Sequence, residues 1–240
     1  MFGFYISLYT SIMENKIEMD FEKFDWGIMG KKMQLIVSQE MSEKHYERVF
    51  QVKEGDIVVD IGASVGPFTY SILCKNPKHV FCLEPSRGNF PYLVKNTIGY
   101  PVTQINKAIT NGNGITDLEL DPQYGNEKNF YETTTFNSFI KLFNIDRIDF
   151  LKMDIEGDEY HIFTDENIDY LLNNVGCIVG EWHLKLPKEK TLFKEFRDLY
   201  LSRFNTVKAY SVDGIDITWD LYNEHFLEYY NEVIIHISNK

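Results

Sequence analysis

The sequence predicts an α/β protein, a mostly parallel sheet covered by helices on both faces, with an antiparallel C-terminal edge strand and a β-hairpin insertion. Three observations carry this. Short β-branched runs alternate with helix-compatible segments from residue 56 to about residue 203, the order that builds a parallel sheet with both faces covered. The chain then closes on NTVKAYSV, ITWDLY and EVIIHI with no helical segment long enough to cross between them, so these are expected to pair antiparallel. Finally, VVDIGASVGPF (58–68) runs from a strand through a glycine turn into a helix start, and in such sheets ligands sit at the carboxyl ends of the strands.

The elements follow in order. Residues 31–49 read as a helical preamble and Asp56–Val59 as the first strand, with a helix after the turn through Cys74. HVFCLE (79–84) is the second strand, and Pro91 opens a helix over 91–98, where its missing N–H costs nothing at a first helical position. VTQINKAI (102–109) is the third strand. The Asn-Gly-Asn-Gly turn at 111–114 leads into ITDLEL, which predicts the hairpin excursion, and a Gly/Asn/Pro-containing loop follows at 121–129. RIDFLKM (147–153) is the fourth core strand, 158–173 a helix, GCIVGEW (176–182) the fifth strand, and 189–203 an amphipathic helix with apolar residues at 3/4 spacing.

Size and charge bound the function. At 240 residues, 44% hydrophobic and 25% charged, with no repeat or linker, the chain reads as an arm and helical preamble (1–45) followed by one domain (46–240). Its net charge of −12 argues against nucleic-acid or anionic-membrane partners, which need a basic surface. Cys74, Cys82 and Cys177 form no CxxC pair, and no basic leader region accompanies them, so neither a disulfide framework nor structural zinc is expected and a cytoplasmic location fits. The uncharged, aromatic-rich start, Met1 to Met13, falls short of a membrane span. It is expected to cover the site or a subunit contact, which leaves a homo-oligomer open.

The chemistry concentrates in three places. Gly62 and Gly66 stand four apart with Asp60 before them, but Ser64 replaces the middle glycine of a dinucleotide GxGxxG turn. Asp60 can instead accept a hydrogen bond from a cationic amino group. Glu84 ends the second strand, placed to accept from the cis-hydroxyls of a ribose. Asp154 and Glu156 bracket the end of the fourth strand, where they could act as general base, metal ligands or orienters of a hydroxyl substrate. The EF-hand pattern fails at Glu159 and no metal is assigned; Asp158 and Glu159 read as helix-start acids, and Glu181 and His183 follow the fifth strand.

Taken together, VVDIGASVGPF, LEP (83–85), NKAI (106–109) and LKMDIEGDEY (151–160) resemble the FkbM-type methyltransferases, from about Tyr46 to about Leu184. The resemblance implies a class I methyltransferase fold, a Rossmann-like three-layer α/β/α sandwich. It also implies methyl transfer from S-adenosyl-L-methionine, usually to a hydroxyl of a sugar or other small metabolite. Carried over, Asp60, Gly62, Ala63, Ser64 and Gly66 would line the methionine end, Glu84 would hold the ribose and Ala108 would lie near the adenine. Asp154 and Glu156, with His183, would face the reacting centre. Ser64 stands where the family commonly has Asn, and Asn137 and Ser138 replace an acidic pair after the Thr-rich strand. The competing classes are an NAD-type Rossmann oxidoreductase, which the absent GxGxxG disfavours, and a non-catalytic cofactor-binding module, which the intact Asp154 and Glu156 disfavour.

Overall fold

The computed structural model describes residues 21–117 and 130–239. The arm Met1–Met13, the loop 121–129 and the end of ITDLEL lie outside the described residues. The first helix is α1 (Lys31–Ser42), followed by β1 (Ile57–Ile61), α2 (Pro67–Ile72), β2 (His79–Leu83), α3 (Phe90–Thr97), β3 (Val102–Ile105), β4 (Ala108–Ile109) and β5 (Gly114–Asp117). From residue 130 on come β6 (Phe130–Thr134), α4 (Phe136–Leu142), β7 (Ile148–Met153), α5 (Ile168–Asn174), β8 (Val175–His183), α6 (Pro187–Glu195), β9 (Thr206–Ser211), α7 (Phe226–Tyr229) and β10 (Glu232–Ser238).

The main sheet has the order β3-β2-β1-β7-β8-β10-β9. Neighbours from β3 to β8 are parallel, and β10 is antiparallel to both β8 and β9. The expected antiparallel C-terminal strand is present, one strand in from the edge. The near-continuous apolar runs of β1 and β7 reflect burial on both faces. Val59, Ile61, Leu151 and Met153 pack with Phe136, Phe139, Trp182 and Phe196 on one side. Val58 and Phe150 pack with Phe68, Ile72, Leu93 and Tyr46 on the other. Alternation along the strands puts Asp60 and Lys152 on this second face, and the register makes them direct cross-strand partners.

Local chemistry reshaped three expected elements. VTQINKAI is two strands: β3 stays in the main sheet, while β4 joins a small sheet of order β4-β6-β5. The break falls where the Asn106 amide donates to the carbonyls of Glu84 and Pro85, and β5 pairs with β6 instead of with β4 across the Asn-Gly turn. ITWDLY is a turn, because Asp216 Oδ1 accepts from the Thr218 amide at 2.9 Å and the chain tightens into one 3-10 turn over Thr218–Asp220. The helix expected over 158–173 is a 3-10 turn at Glu159–His161 and then α5. Among the described residues no helix is long and apolar enough to cross a membrane.

Candidate active site

The carboxyl ends of β1, β7 and β8 open into one cavity of about 310 Å3, walled on the far side by α1 through Met33, Val37 and Glu40. Gly62, at φ +77°, forms part of its floor. A Cβ at this position would stand 1.8 Å from the Asp154 carbonyl oxygen, so the glycine is what lets the turn close onto the end of β7. Ala63 and Ser64 also line the cavity. Ser64 adopts φ +52°, and its buried hydroxyl has no hydrogen-bond partner. Gly66, at φ +92°, precedes α2, and a Cβ there would meet Leu93 of α3 at 2.9 Å; its role is helix packing behind the turn.

Asp60 is wholly buried and does not reach the cavity surface. Its Oδ2 accepts from Thr69 Oγ1 at 2.8 Å, and its Oδ1 lies 3.3 Å from Lys152 Nζ. Lys152 also donates to the Gly62 carbonyl at 2.8 Å, and lies 3.8 Å from Asp154 Oδ2. Burial disfavours its ammonium, yet the charges of Asp60 and Asp154 outweigh that and hold the lysine above its ordinary value. Asp60 therefore acts on the site through Lys152 and the turn. The sequence reading missed Lys152, although a single lysine in the apolar run of a strand buried on both faces is itself a signal.

Glu84 is buried behind the turn, joined to it by the Ser64 amide, which donates to Oε2 at 2.8 Å, and to the following loop by the Ser86 amide, which donates to Oε1 at 2.8 Å. Burial pushes its carboxyl up to about 7 against the pull of those two donors. Neither Glu84 nor Ala108 lines the cavity; Ala108 is buried on β4 in the small sheet.

Asp154, Glu156 and His183 do meet there. Asp154 Oδ2 accepts from Tyr46 Oη at 2.9 Å; burial, then the Asp154 charge, raises the tyrosine so that it stays a donor. His183 Nε2 lies 3.3 Å from Glu156 Oε2, and its Nδ1 is 3.0 Å from Glu159 Oε1. Burial opposes the imidazolium, but the hydrogen bond and charge of Glu159, with Asp154 and Glu156, push it up to about 10. At neutral pH the ring is thus a cation that organises its carboxylates.

Glu159 opens the 3-10 turn as an acid at its start, but its side chain does more than face the turn. It is fully buried, and its Oε1 also accepts from the amides of Ile155 and Gly157. Glu156 takes φ +56°, a left-handed backbone unusual for a non-glycine residue. Glu181 and Glu232 complete the acidic wall, Glu181 raised by burial and then by Asp154. Glu40, on α1, is pushed up to about 7 by burial and the Asp154 charge. Glu40 and Tyr46 carry no local sequence signal, because they lie far from the strand-end motifs and reach the cavity only through the packing of the preamble.

Strand order, glycine turn and strand-end acids together define a class I methyltransferase-like α/β protein. A sequence model of the methyltransferase FkbM domain matches residues 60–206, and the chain belongs to the FkbM methyltransferase family. Among solved structures it is similar to a chain of a fibrillarin/Nop5p complex, at 13% identity and TM-score 0.50, over 82% of this chain and 78% of that one. It is also similar to the fibrillarin pre-rRNA processing protein of Methanococcus jannaschii, at 12% identity and TM-score 0.48, over 80% and 69% of the two chains. The precorrin-6y C5,15-methyltransferase of Geobacter metallireducens aligns at 14% identity and TM-score 0.46, over 92% and 96%. At these identities the likeness is one of fold alone. No curated protein matches the sequence significantly.

Proposed function

We infer that the chain transfers a methyl group from S-adenosylmethionine to a hydroxyl oxygen of a sugar or other small metabolite. One observation carries this reading: the glycine turn opens into the same cavity as Asp154, Glu156 and His183. The family implies the cofactor, and the residues present fit it. Ser64 offers an unpartnered hydroxyl at the turn. Glu84 stands behind the turn and off the cavity wall, yet each of its oxygens accepts only one backbone N–H, which leaves lone pairs for a ribose placed beside the turn. The acidic wall of Glu40, Asp154, Glu156, Glu181 and Glu232 suits a ligand carrying sulfonium and ammonium charges.

S-adenosylmethionine supplies an electrophilic methyl group and leaves as a neutral thioether, so the protein has to align the acceptor and remove one proton. Asp154 is the group for that proton. Tyr46 and Lys152 both engage its Oδ2, which fixes the carboxylate and leaves Oδ1 to accept an acceptor O–H. A screen with methyl-labelled S-adenosylmethionine against hydroxylated sugars and lipids tests the reading. On an acceptor so found, Asp154→Asn should lower turnover by roughly 10²–10⁴, and Glu84→Gln should weaken S-adenosylhomocysteine binding by about 1.5–3 kcal/mol in calorimetry. Wild-type turnover in the first variant removes Asp154 from the chemistry; absence of S-adenosylhomocysteine binding to the intact protein overturns the reading.

A further inference from the structure

We propose that Asp154, Glu156 and His183 form a binding site for a divalent cation, Mn²⁺ ahead of Mg²⁺. One carboxylate oxygen from each acid and a ring nitrogen of His183 lie within 4.8 Å of one another. Glu156 Oε2 and His183 Nε2 are 3.3 Å apart. An octahedral ion with ligand bonds of about 2.1 Å holds neighbouring ligand atoms about 3 Å apart and opposite ones about 4.2 Å apart. Glu156 and His183 already have the separation of neighbouring ligands, and Asp154 stands near enough to join them once the side chains close on the ion. Two carboxylates with a single imidazole suit a hard cation that tolerates nitrogen, which Mn²⁺ does better than Mg²⁺.

The surroundings support the same assignment. His183 presents Nε2 to the acids because its Nδ1 is held by Glu159, which is fully buried and anchored by backbone amides. A carboxylate behind a ligating histidine is the usual outer partner of a metal site, fixing tautomer and ring direction. On Asp154, Tyr46 and Lys152 both approach Oδ2, so Oδ1 is left as the ligand atom; with the ion bound it is a ligand in place of the direct proton acceptor of the cation-free reading, and the ion replaces the proton on His183 Nε2. The alternative trio of Glu181, His183 and Glu232 also has suitable spacing, but Glu232 already carries the ammonium of Lys185. Three positions on the cavity side of the ion remain for water or an acceptor. Binding of the cation stands apart from the methyl-transfer reading; its use, to hold and acidify an acceptor hydroxyl, rests on that reading.

The test is titration of Mn²⁺ into the full chain without cofactor, followed by loss of the free-ion electron paramagnetic resonance signal. One ion should bind per chain, and Glu156→Gln and His183→Gln should each weaken it by about tenfold or more, with Glu159→Gln weakening it about 10–100-fold through the histidine. The Glu156 side chain is 41% exposed, so its variant should fold even where a buried substitution does not. His225→Gln, at an exposed histidine beside Glu224 and Glu228, should leave binding unchanged. Binding that is absent, or unaltered in Glu156→Gln, overturns the site. S-adenosylhomocysteine calorimetry on the same sample separates the two readings: Mn²⁺ binding without it keeps the cation site and fails the methyltransferase reading, and the reverse result does the opposite.

Discussion

Replacing Lys152 by Met keeps the length of the side chain and removes its charge. In the wild type the ammonium, with its side chain only 4% exposed, lies 3.3 Å from Asp60 and donates to the Gly62 carbonyl at 2.8 Å. Without it, the Asp60 carboxylate stays fully buried with Thr69 as its remaining hydrogen-bond donor. Breaking a buried pair from one side costs about 3–5 kcal/mol, because the charge left behind is uncompensated. The orphaned Gly62 carbonyl adds to this, by up to about 1–3 kcal/mol, though terms that share one site do not sum. A loss of about 3–5 kcal/mol is a large share of the roughly 5–15 kcal/mol that holds a typical domain together. Urea unfolding at neutral pH, followed by tryptophan fluorescence with buried Trp182 as reporter, measures it. Adding Asp60→Asn to the Lys152→Met chain removes the stranded charge and should return at least about 1 kcal/mol. A single-variant loss under about 1 kcal/mol, or no recovery in the double variant, refutes the claim that this pair neutralises the floor of the site.

Two further expectations rest on independent observations. Gly62→Ala places a methyl 1.8 Å from the Asp154 carbonyl at φ +77°, whereas Gly99, at φ +87°, has nothing within 4 Å of its missing Cβ. Alanine at 62 should therefore cost about 2–4 kcal/mol and at 99 only about 1 kcal/mol in urea unfolding, and equal losses would show that conformation alone, without close approach, fixes Gly62. His236 is fully buried with both ring nitrogens unpartnered, and burial, with His45 and Arg48, pushes it from 6.5 down to about 3. The unfolded chain then binds a proton that the folded one refuses, so this contribution is intact above pH 6.5 and lost as pH falls toward 3. By pH 5 the loss is about 2 kcal/mol. His236→Leu should be spared it, and parallel stability curves for wild type and variant between pH 7.5 and 5 would show that the histidine is not the cause.

What was legible in the sequence follows a physical division. The succession of strands along the chain could be read because each core strand is a short apolar run bounded by turn residues, and Gly62, Glu84, Asp154 and Glu156 stood out because polar residues and glycines at strand ends break that pattern. Their partners did not stand out. Glu159 looked like an ordinary helix-start acid, and only the turn at 155–157 carries it inward to His183. The boundary between β3 and β4 was hidden because Asn106 stops the strand through side-chain hydrogen bonds to a loop 21 and 22 residues away, which no local window contains. ITWDLY has strand-like composition, but the aspartate–amide bond, with the hydrogen bonds between Thr218 and Ala209, holds it as a turn.

The same division bears on where acceptor choice resides. The cavity floor is built from strand ends, where backbone pairing fixes each side chain, and its chemistry is acidic: Asp154, Glu156 and Glu181 around one imidazole. The opposite wall is α1, which brings Met33, Ile36, Val37 and Met41 to the space, with Glu40 as its single carboxylate. Methionine adapts its shape to what it meets, and α1 has no fully buried residue to lock it. On the proposed methyl transfer, a floor set by the sheet would perform the same proton chemistry whatever is bound. A wall of adaptable side chains on a helix outside the sheet can change its fit without disturbing that floor, so differences in acceptor size are expected to be read at Met33, Val37 and Met41, and differences in acceptor charge at Glu40.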